Sequence, residues 1–140
     1  MTEVTDWNAK IIEEFRASGG RVGGAFEGAP ILLLHSTGAR SGHERVNPMM
    51  YQRLGPGKVA VFASKAGAPT NPDWFHNLVA HPDATIEIGA QTLKVRARVA
   101  GPEERTPIWE KQKADFPGFA DYEQKTTRTI PVVILEEVQT

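Results

Sequence analysis

Two stretches of this chain hold residue types that could handle an anionic or flat polar ligand. The first runs Ser36-Thr37-Gly38-Ala39-Arg40-Ser41-Gly42-His43-Glu44-Arg45. Its glycines let backbone N–H groups approach a ligand, its hydroxyls donate, and Arg40 and Arg45 can grip phosphate bidentately. It is not a P-loop, because Gly-x-x-x-x-Gly-Lys-Ser/Thr is absent. It is not a dinucleotide fingerprint either, since Gly-x-Gly-x-x-Gly is missing and a strand follows rather than a helix. A plain hairpin turn is the alternative reading. The second stretch runs from Ala63 to Val79 and sets Ser64 beside Lys65, ahead of a helix carrying Trp74, His76 and Asn77. A loop-to-helix junction with free N–H groups and a lysine suits an anion or a flat polar ring. Its alternative is a tight loop leading into an aromatic-rich core helix.

What the chain lacks narrows the chemistry. It has no cysteine, so disulfides, thiolate metal sites and cysteine nucleophiles are excluded. His35, His43, His76 and His81 show no metal-binding spacing, and no metal is expected. His76 reads as a hydrogen-bonded structural or ligand-contacting group rather than a general base. No Ser-His-Asp order can be defended. Glu13-Glu14, Glu103-Glu104 and Glu136-Glu137 read as solvated faces. A chain without its own reactive group fits a protein that positions a cofactor and leaves the reaction to it.

The 140 residues point to one domain over 1–140, with a core that needs no staples. Sixteen Lys and Arg against seventeen Asp and Glu leave a net charge of −1, which gives no nucleic-acid field. No apolar run approaches the roughly 18 residues of a spanning helix. The acidic N-terminus lacks a signal-peptide pattern, so a cytoplasmic location is expected.

The elements that would position these residues follow from periodicity. Residues 6–18 form an amphipathic helix, with Asp6 as cap and Trp7, Ile11 and Phe15 on one face beside Ile12. That stripe docks on the core or, alternatively, covers a pocket or touches a membrane. Gly19-Gly20 ends the helix, and the glycine-rich 21–29 stretch reads as a mobile loop. Ile31 to His35 is a buried strand. Glu44 to Arg53 is a second, with Pro48 marking an edge or bulge. Gly55-Pro56-Gly57 turns into a third at Lys58 to Ala63. Asn71 caps the next helix, Pro72 takes its first position and Asp73 complements its dipole. His81-Pro82 stops it. Ala84 to Ile88 and Thr92 to Ala100 form a hairpin, in which Leu93, Val95, Ala97 and Val99 alternate with Lys94, Arg96 and Arg98. A helix from Pro102 or Thr106-Pro107 to about Ala114, a short helical piece over 119–125 and a strand from Ile130 to Leu135 complete the chain. Connections among the first three strands are too short for parallel crossovers. The expected fold is therefore α+β and mainly β. About six mostly antiparallel strands close, or nearly close, into a small barrel with three to four helices around it. If the second and third strands pair along their length, their far ends bring Arg40, Arg45 and Lys65 to one rim.

Three segments together carry a resemblance. They are Leu33 to Tyr51 with Thr-Gly-Ala-Arg-Ser-Gly-His-Glu-Arg-Val-Asn-Pro, Ala63 to Pro82 with Ala-Ser-Lys-Ala-Gly-Ala-Pro and Pro-Asp-Trp-Phe-His-Asn, and Phe116 to Leu135 with Phe-Pro-Gly-Phe-Ala-Asp-Tyr and Thr-Arg-Thr-Ile-Pro-Val-Val. The chain resembles the deazaflavin-dependent nitroreductase family over about residues 6–136. The resemblance implies a split β-barrel of the FMN-binding kind. It implies coenzyme F420, an 8-hydroxy-5-deazaflavin with a phospholactyl-oligoglutamate tail, whose reduced form gives a hydride to quinones, nitroaromatics and related acceptors. Carried onto this chain, it implies cofactor contacts at Arg40, Ser41, Gly42, Arg45, Asn47, Pro48, Ser64, Lys65, Ala68, Trp74, His76 and Asn77, with the phosphate and tail held by the basic residues. Ser64 would stand near the reacting edge, and Tyr122 would shape the acceptor pocket and relay a proton. Two departures stand out. Ala39 replaces a second base in the turn, and Met49 and Met50 separate the Asn-Pro pair from Tyr51. The rivals are an FMN-dependent reductase of the same fold and a deazaflavin-binding protein without turnover. Peripheral membrane contact through residues 6–18 and a homodimer are left open.

Overall fold

The computed structural model describes residues 6–19, 30–67 and 70–138. The 21–29 stretch, Gly20 and Ala68 lie outside them, so the loop and one of the expected cofactor positions are untested. The elements in order are helix α1 (Asp6–Ser18), strands β1 (Ile31–Thr37), β2 (Glu44–Gly55) and β3 (Lys58–Phe62), helix α2 (Asp73–Ala80), strands β4 (Asp83–Ile88) and β5 (Gln91–Val99), helices α3 (Pro102–Asp115) and α4 (Gly118–Gln124), and strand β6 (Val132–Glu137). A single 3₁₀ turn, Lys65–Gly67, precedes α2.

The six strands close into a barrel in the order β1-β2-β3-β6-β5-β4, every neighbouring pair antiparallel. Each strand has a pairing partner on both sides over at least part of its length. Leu32 and Leu34 from β1, Val59 and Val61 from β3, Ile86, Val95, Val133 and Leu135 fill the interior, and Leu78 of α2 joins them at one end. The opposite faces are covered by helices. Ile11 and Phe15 of α1 pack on Ile31 and Leu33, while Trp109 of α3 and Phe119 of α4 pack on Ala60, Phe62 and Ile134. The alternation of β1, with even residues inward and odd residues under α1, is what a period-two strand buried on both faces produces.

β2 is the longest strand and divides its loyalties. Glu44 to Met50 pairs with β1, and only Tyr51 to Gly55 pairs with β3. Pro48 therefore sits where β2 has a strand neighbour on one side only, as its missing N–H requires. β2 and β3 pair from Gly55 and Lys58 at the turn to Tyr51 and Val61, and Ser64 and Lys65 follow just beyond that paired stretch.

One smaller expectation changes: Pro72, not Asn71, holds the position before α2, with no side-chain cap. Of the two starts expected for α3, Pro102 holds, and Pro107 lies inside the helix.

α4 docks on the 3₁₀ turn through Gly67, whose φ is +81°. A Cβ there would lie 2.9 Å from both the Tyr122 carbonyl oxygen and Lys125 Cβ. Backbone strain and backbone clash thus coincide. Gly67→Ala is expected to cost about 2 kcal/mol or more, read as a lower urea midpoint at unchanged slope. An unshifted midpoint would mean that α4 does not need this close approach.

Candidate functional site

The turn joining β1 to β2 is closed by its own backbone. The Gly38 N–H donates to the His43 carbonyl at 2.8 Å, and the Gly42 N–H to the Gly38 carbonyl at 2.9 Å. Gly42 takes a φ of +73°, open to glycine without strain. α2 then locks the turn from the side. The Ala39 N–H donates to Asn77 Oδ1 at 2.9 Å, and Asn77 Nδ2 to Ser36 Oγ at 3.5 Å. Ser36 and Asn77 are both buried, so these bonds replace water that neither side chain can reach.

Between the locked turn and α2 lies a cleft of about 650 Å³. Its walls are Gly38 to Ser41, Glu44 to Asn47, and Asp73, His76 and Asn77. That is the size of an ordinary small-molecule site. Its electrostatics are distinctive. Among the described residues neither Arg40 nor Arg45 is held in an ion pair, although Glu44 and Asp73 share the cleft. Glu44 turns instead to His35 Nδ1 at 3.4 Å. Elsewhere Arg16, Arg96 and Arg98 are each paired, with Glu87, Asp83 and Glu104. Two guanidinium groups without a carboxylate partner among the described residues, in a concave site, have the chemistry to hold an anion.

A second cluster gathers at the start of α2. Ser64 is buried at the end of β3. Lys65 adopts φ +47°, a left-handed conformation uncommon outside glycine, and its Nζ lies 3.5 Å from Thr70 Oγ1. The Ser64 carbonyl accepts the Gly67 N–H at 2.9 Å and an Arg128 N–H at 2.9 Å. Arg128 also donates to Asn71 Oδ1 at 2.6 Å. Asn71 is thus engaged by a residue on the far side of the sequence, which is why it does not cap α2. Burial pulls the Arg128 pKa below its ordinary value. Tyr122 borders this cluster from α4, half-buried and edge-to-face with Phe119 at 5.4 Å.

The expected site residues therefore sort into groups. Arg40, Ser41, Arg45, Asn47, His76 and Asn77 line one cleft. Ser64, Lys65 and Tyr122 lie in the second cluster, one guanidinium's span from Asn71 and hence two residues from the Asp73 that walls the cleft. Gly42 shapes the turn without lining the cleft. Pro48 faces Leu33 of β1 in the register, and Trp74 packs on the barrel core. Met49 and Tyr51 pack on that core too, and Met50 on the clusters under the helices, so neither methionine shapes the cleft. Asp73 and Glu44 as cleft walls, and the Arg128 tie, were missed. Asp73 was visible as a helix-start residue. Arg128 had no local signal.

Comparison with known proteins closes on one chemistry. The family model described as F420H(2)-dependent quinone reductase matches residues 7–137. A Mycobacterium tuberculosis (strain ATCC 25618 / H37Rv) protein named F420H(2)-dependent quinone reductase is 37% identical over 125 residues, 86% of this chain and 83% of its own. A solved structure of an F420-H2 dependent reductase (FDR-A) superposes with TM-score 0.69 at 40% identity, covering 76% of this chain and 94% of that one. Another, described as a domain-swapped dimer, superposes with TM-score 0.72 at 36% identity over 94% and 98% of the two chains.

Proposed function

Since the chain belongs to the F420H(2)-dependent quinone reductase family, we propose that its arginine-rimmed cleft and its Ser64 junction together form the site of a coenzyme F420-dependent oxidoreductase with a quinone-type acceptor. The observation that carries this reading is that Arg40 and Arg45, in a cleft of ligand size, have no ion-pair partner among the described residues. The fit is chemical. An anionic tail needs uncompensated cations and backbone N–H groups, and this cleft offers both.

Bound reduced deazaflavin supplies the hydride. The chain's part is to bind, orient and stabilise. Arg40, Arg45 and Ser41 hold the phosphate and carboxylates, with Lys65 placed to add a cation from the neighbouring cluster. His76 and Asn47 wall the same cleft, and Asn77 fixes the turn that carries Arg40. Ser64 donates a hydrogen bond to the acceptor oxygen as negative charge grows there, an interaction stronger in the transition state than in the ground state. Tyr122 is the second donor, on the helix whose backbone meets the turn after Ser64 at Gly67.

Ser64→Ala and Tyr122→Phe are expected to keep deazaflavin affinity within a few-fold and each to lower turnover by about ten-fold, the scale of one lost transition-state hydrogen bond. Steady-state oxidation of reduced F420 by a quinone measures this. Full turnover in both single variants and the double variant would assign the proton to water and leave the two side chains a packing role. The same assay separates a reductase from a binding protein without turnover. The absorbance of protein mixed with FMN tests the flavin alternative.

Ile11 and Phe15, two residues of the stripe that a membrane contact through residues 6–18 would use, are buried against β1. No helix among the described residues is long and apolar enough to cross a membrane. The related domain-swapped dimer supports a homodimer, which sedimentation analysis decides.

A further inference from the structure

The segment between α4 and β6 contains Thr-Arg-Thr-Ile-Pro, a motif to which the cleft assigns no task. Its Arg128 reaches across the fold to both ends of the loop that joins β3 to α2. One guanidinium nitrogen donates to the Ser64 carbonyl at 2.9 Å, and the other to Asn71 Oδ1 at 2.6 Å. The fork of a guanidinium can serve two separated acceptors at once, whereas an ammonium is a single point. What it grips is a backbone that would not hold itself. Lys65, the residue after Ser64, takes φ +47°, a conformation that persists outside glycine only where the surroundings impose it. The Gly67 N–H meets the same Ser64 carbonyl at 2.9 Å, so this carbonyl is the point from which the whole turn hangs. Desolvation disfavours the charge on the half-buried Arg128, so a surface position would have suited the side chain better. At the other end of the tie, Asn71 lies two residues ahead of Asp73 in the cleft wall.

We propose that Arg128 is a positioning residue for the reductase reaction: its two-point grip holds the Ser64–Lys65 junction in the strained conformation that presents the Ser64 hydroxyl, and fixes that junction relative to the start of α2. The proposal rests on the catalytic reading of Ser64 given above, and its test separates the two.

The test uses the full chain with F420 and compares Arg128→Lys, Arg128→Gln and Asn71→Ala. Arg128→Lys keeps the charge and loses the fork, so it is expected to behave as Arg128→Gln does. In both, turnover at saturating substrates falls by about ten-fold, the cost of a small misplacement of a reacting group, while deazaflavin Kd and acceptor KM stay within a few-fold. Amide hydrogen exchange speeds up in residues 64–67 and 70–71, with the barrel strands still protected. Asn71→Ala removes one of the two acceptors and gives the same exchange signature more weakly, which keeps the idea testable if the arginine variants do not fold. Because Arg128 acts through Ser64, adding Arg128→Lys to Ser64→Ala slows turnover no further. Unchanged exchange in the loop, full turnover in Arg128→Lys, or additive losses in the double variant would each overturn the proposal. Should Ser64→Ala alone leave turnover intact, it is the catalytic reading of Ser64 that fails. The exchange measurement then decides Arg128 by itself, faster exchange supporting the grip and unchanged exchange refuting it.

Discussion

Replacing Phe15 by alanine is expected to lower the unfolding free energy by about 3–4 kcal/mol, the range for truncating a buried phenylalanine without collapse of the site. Phe15 is 1% exposed and is held between Ile11, Ile31 and Leu33. The wall behind it is β1, whose Leu32 and Leu34 face the barrel interior. A closed barrel cannot flatten to fill the gap, so the cavity stays. Denaturant unfolding should show a lower midpoint at unchanged slope. A cost under 1 kcal/mol would mean that α1 is loosely held and free for a covering role. The helix has a second anchor at its end. Arg16 Nη2 lies 2.8 Å from Glu87 Oε2 on β4, and His35 Nε2 lies 2.5 Å from the same oxygen. The hydrogen bond from Arg16 holds the Glu87 carboxyl below its ordinary value of 4.5. A depressed carboxylate contributes stability above the unfolded pKa and loses it as pH falls through the folded one. The anchor should therefore weaken only in acid below 4.5. Its contribution is small, because Arg16 is half exposed, and Phe15 remains the stronger hold.

The local grammar of the chain was readable wherever one element answered to one environment. β5 announced itself because Val95 and Ala97 face the interior while Lys94, Arg96 and Arg98 face water. The α1 stripe announced itself for the same reason, and its Ile11 and Phe15 are buried against β1. Val99 breaks the pattern at 49% exposure, beside the 61% exposed Val79 of α2, where the strand runs past the interior into a shallow apolar groove. The failures share a cause. Asn71 has every local property of a helix cap, but its oxygen is taken by Arg128 from a distant segment. Glu44 to Arg53 reads as one strand, and nothing in its residues says that its halves pair with different neighbours. The ring contact expected of Trp74 is compatible with its place: partly buried, it packs with Leu78, four residues away on the same helix face, against the barrel core. The cations of the turn were legible as chemistry. That Arg40 and Arg45 have no carboxylate partner among the described residues, while Arg16, Arg96 and Arg98 each have one, is a property of the fold.

That inequality leads to the largest expected effect on function. The Arg40→Ala, Arg45→Ala double variant should bind coenzyme F420 at least about a hundred-fold more weakly, the product of two charge-assisted bonds at the low end of their range of roughly 1.5–3 kcal/mol each. Arg45→Ala alone should account for about 1.5–3 kcal/mol of this. The reasoning is thermodynamic. A guanidinium already paired to a carboxylate must break that pair before it can bind an anion, and the gain largely cancels. Among the described residues Arg40 and Arg45 have no such pair to break, so their attraction for phosphate and carboxylate is expected to be realised nearly in full. The effect must also belong to the tail. A deazaflavin lacking phosphate and glutamates should bind the double variant and the parent alike. Raising ionic strength should close much of the gap for the complete coenzyme, since exposed charges are screened over about 10 Å at 0.1 M salt. Arg53→Ala serves as the control, because Arg53 lies over the Tyr51 ring at 6.0 Å, away from the cleft walls. Fluorescence titration of each variant with both ligands completes the cycle. Equal affinity of parent and double variant for the complete coenzyme would remove the cleft as the tail site and shift the search for it to Lys65 and the Ser64 junction.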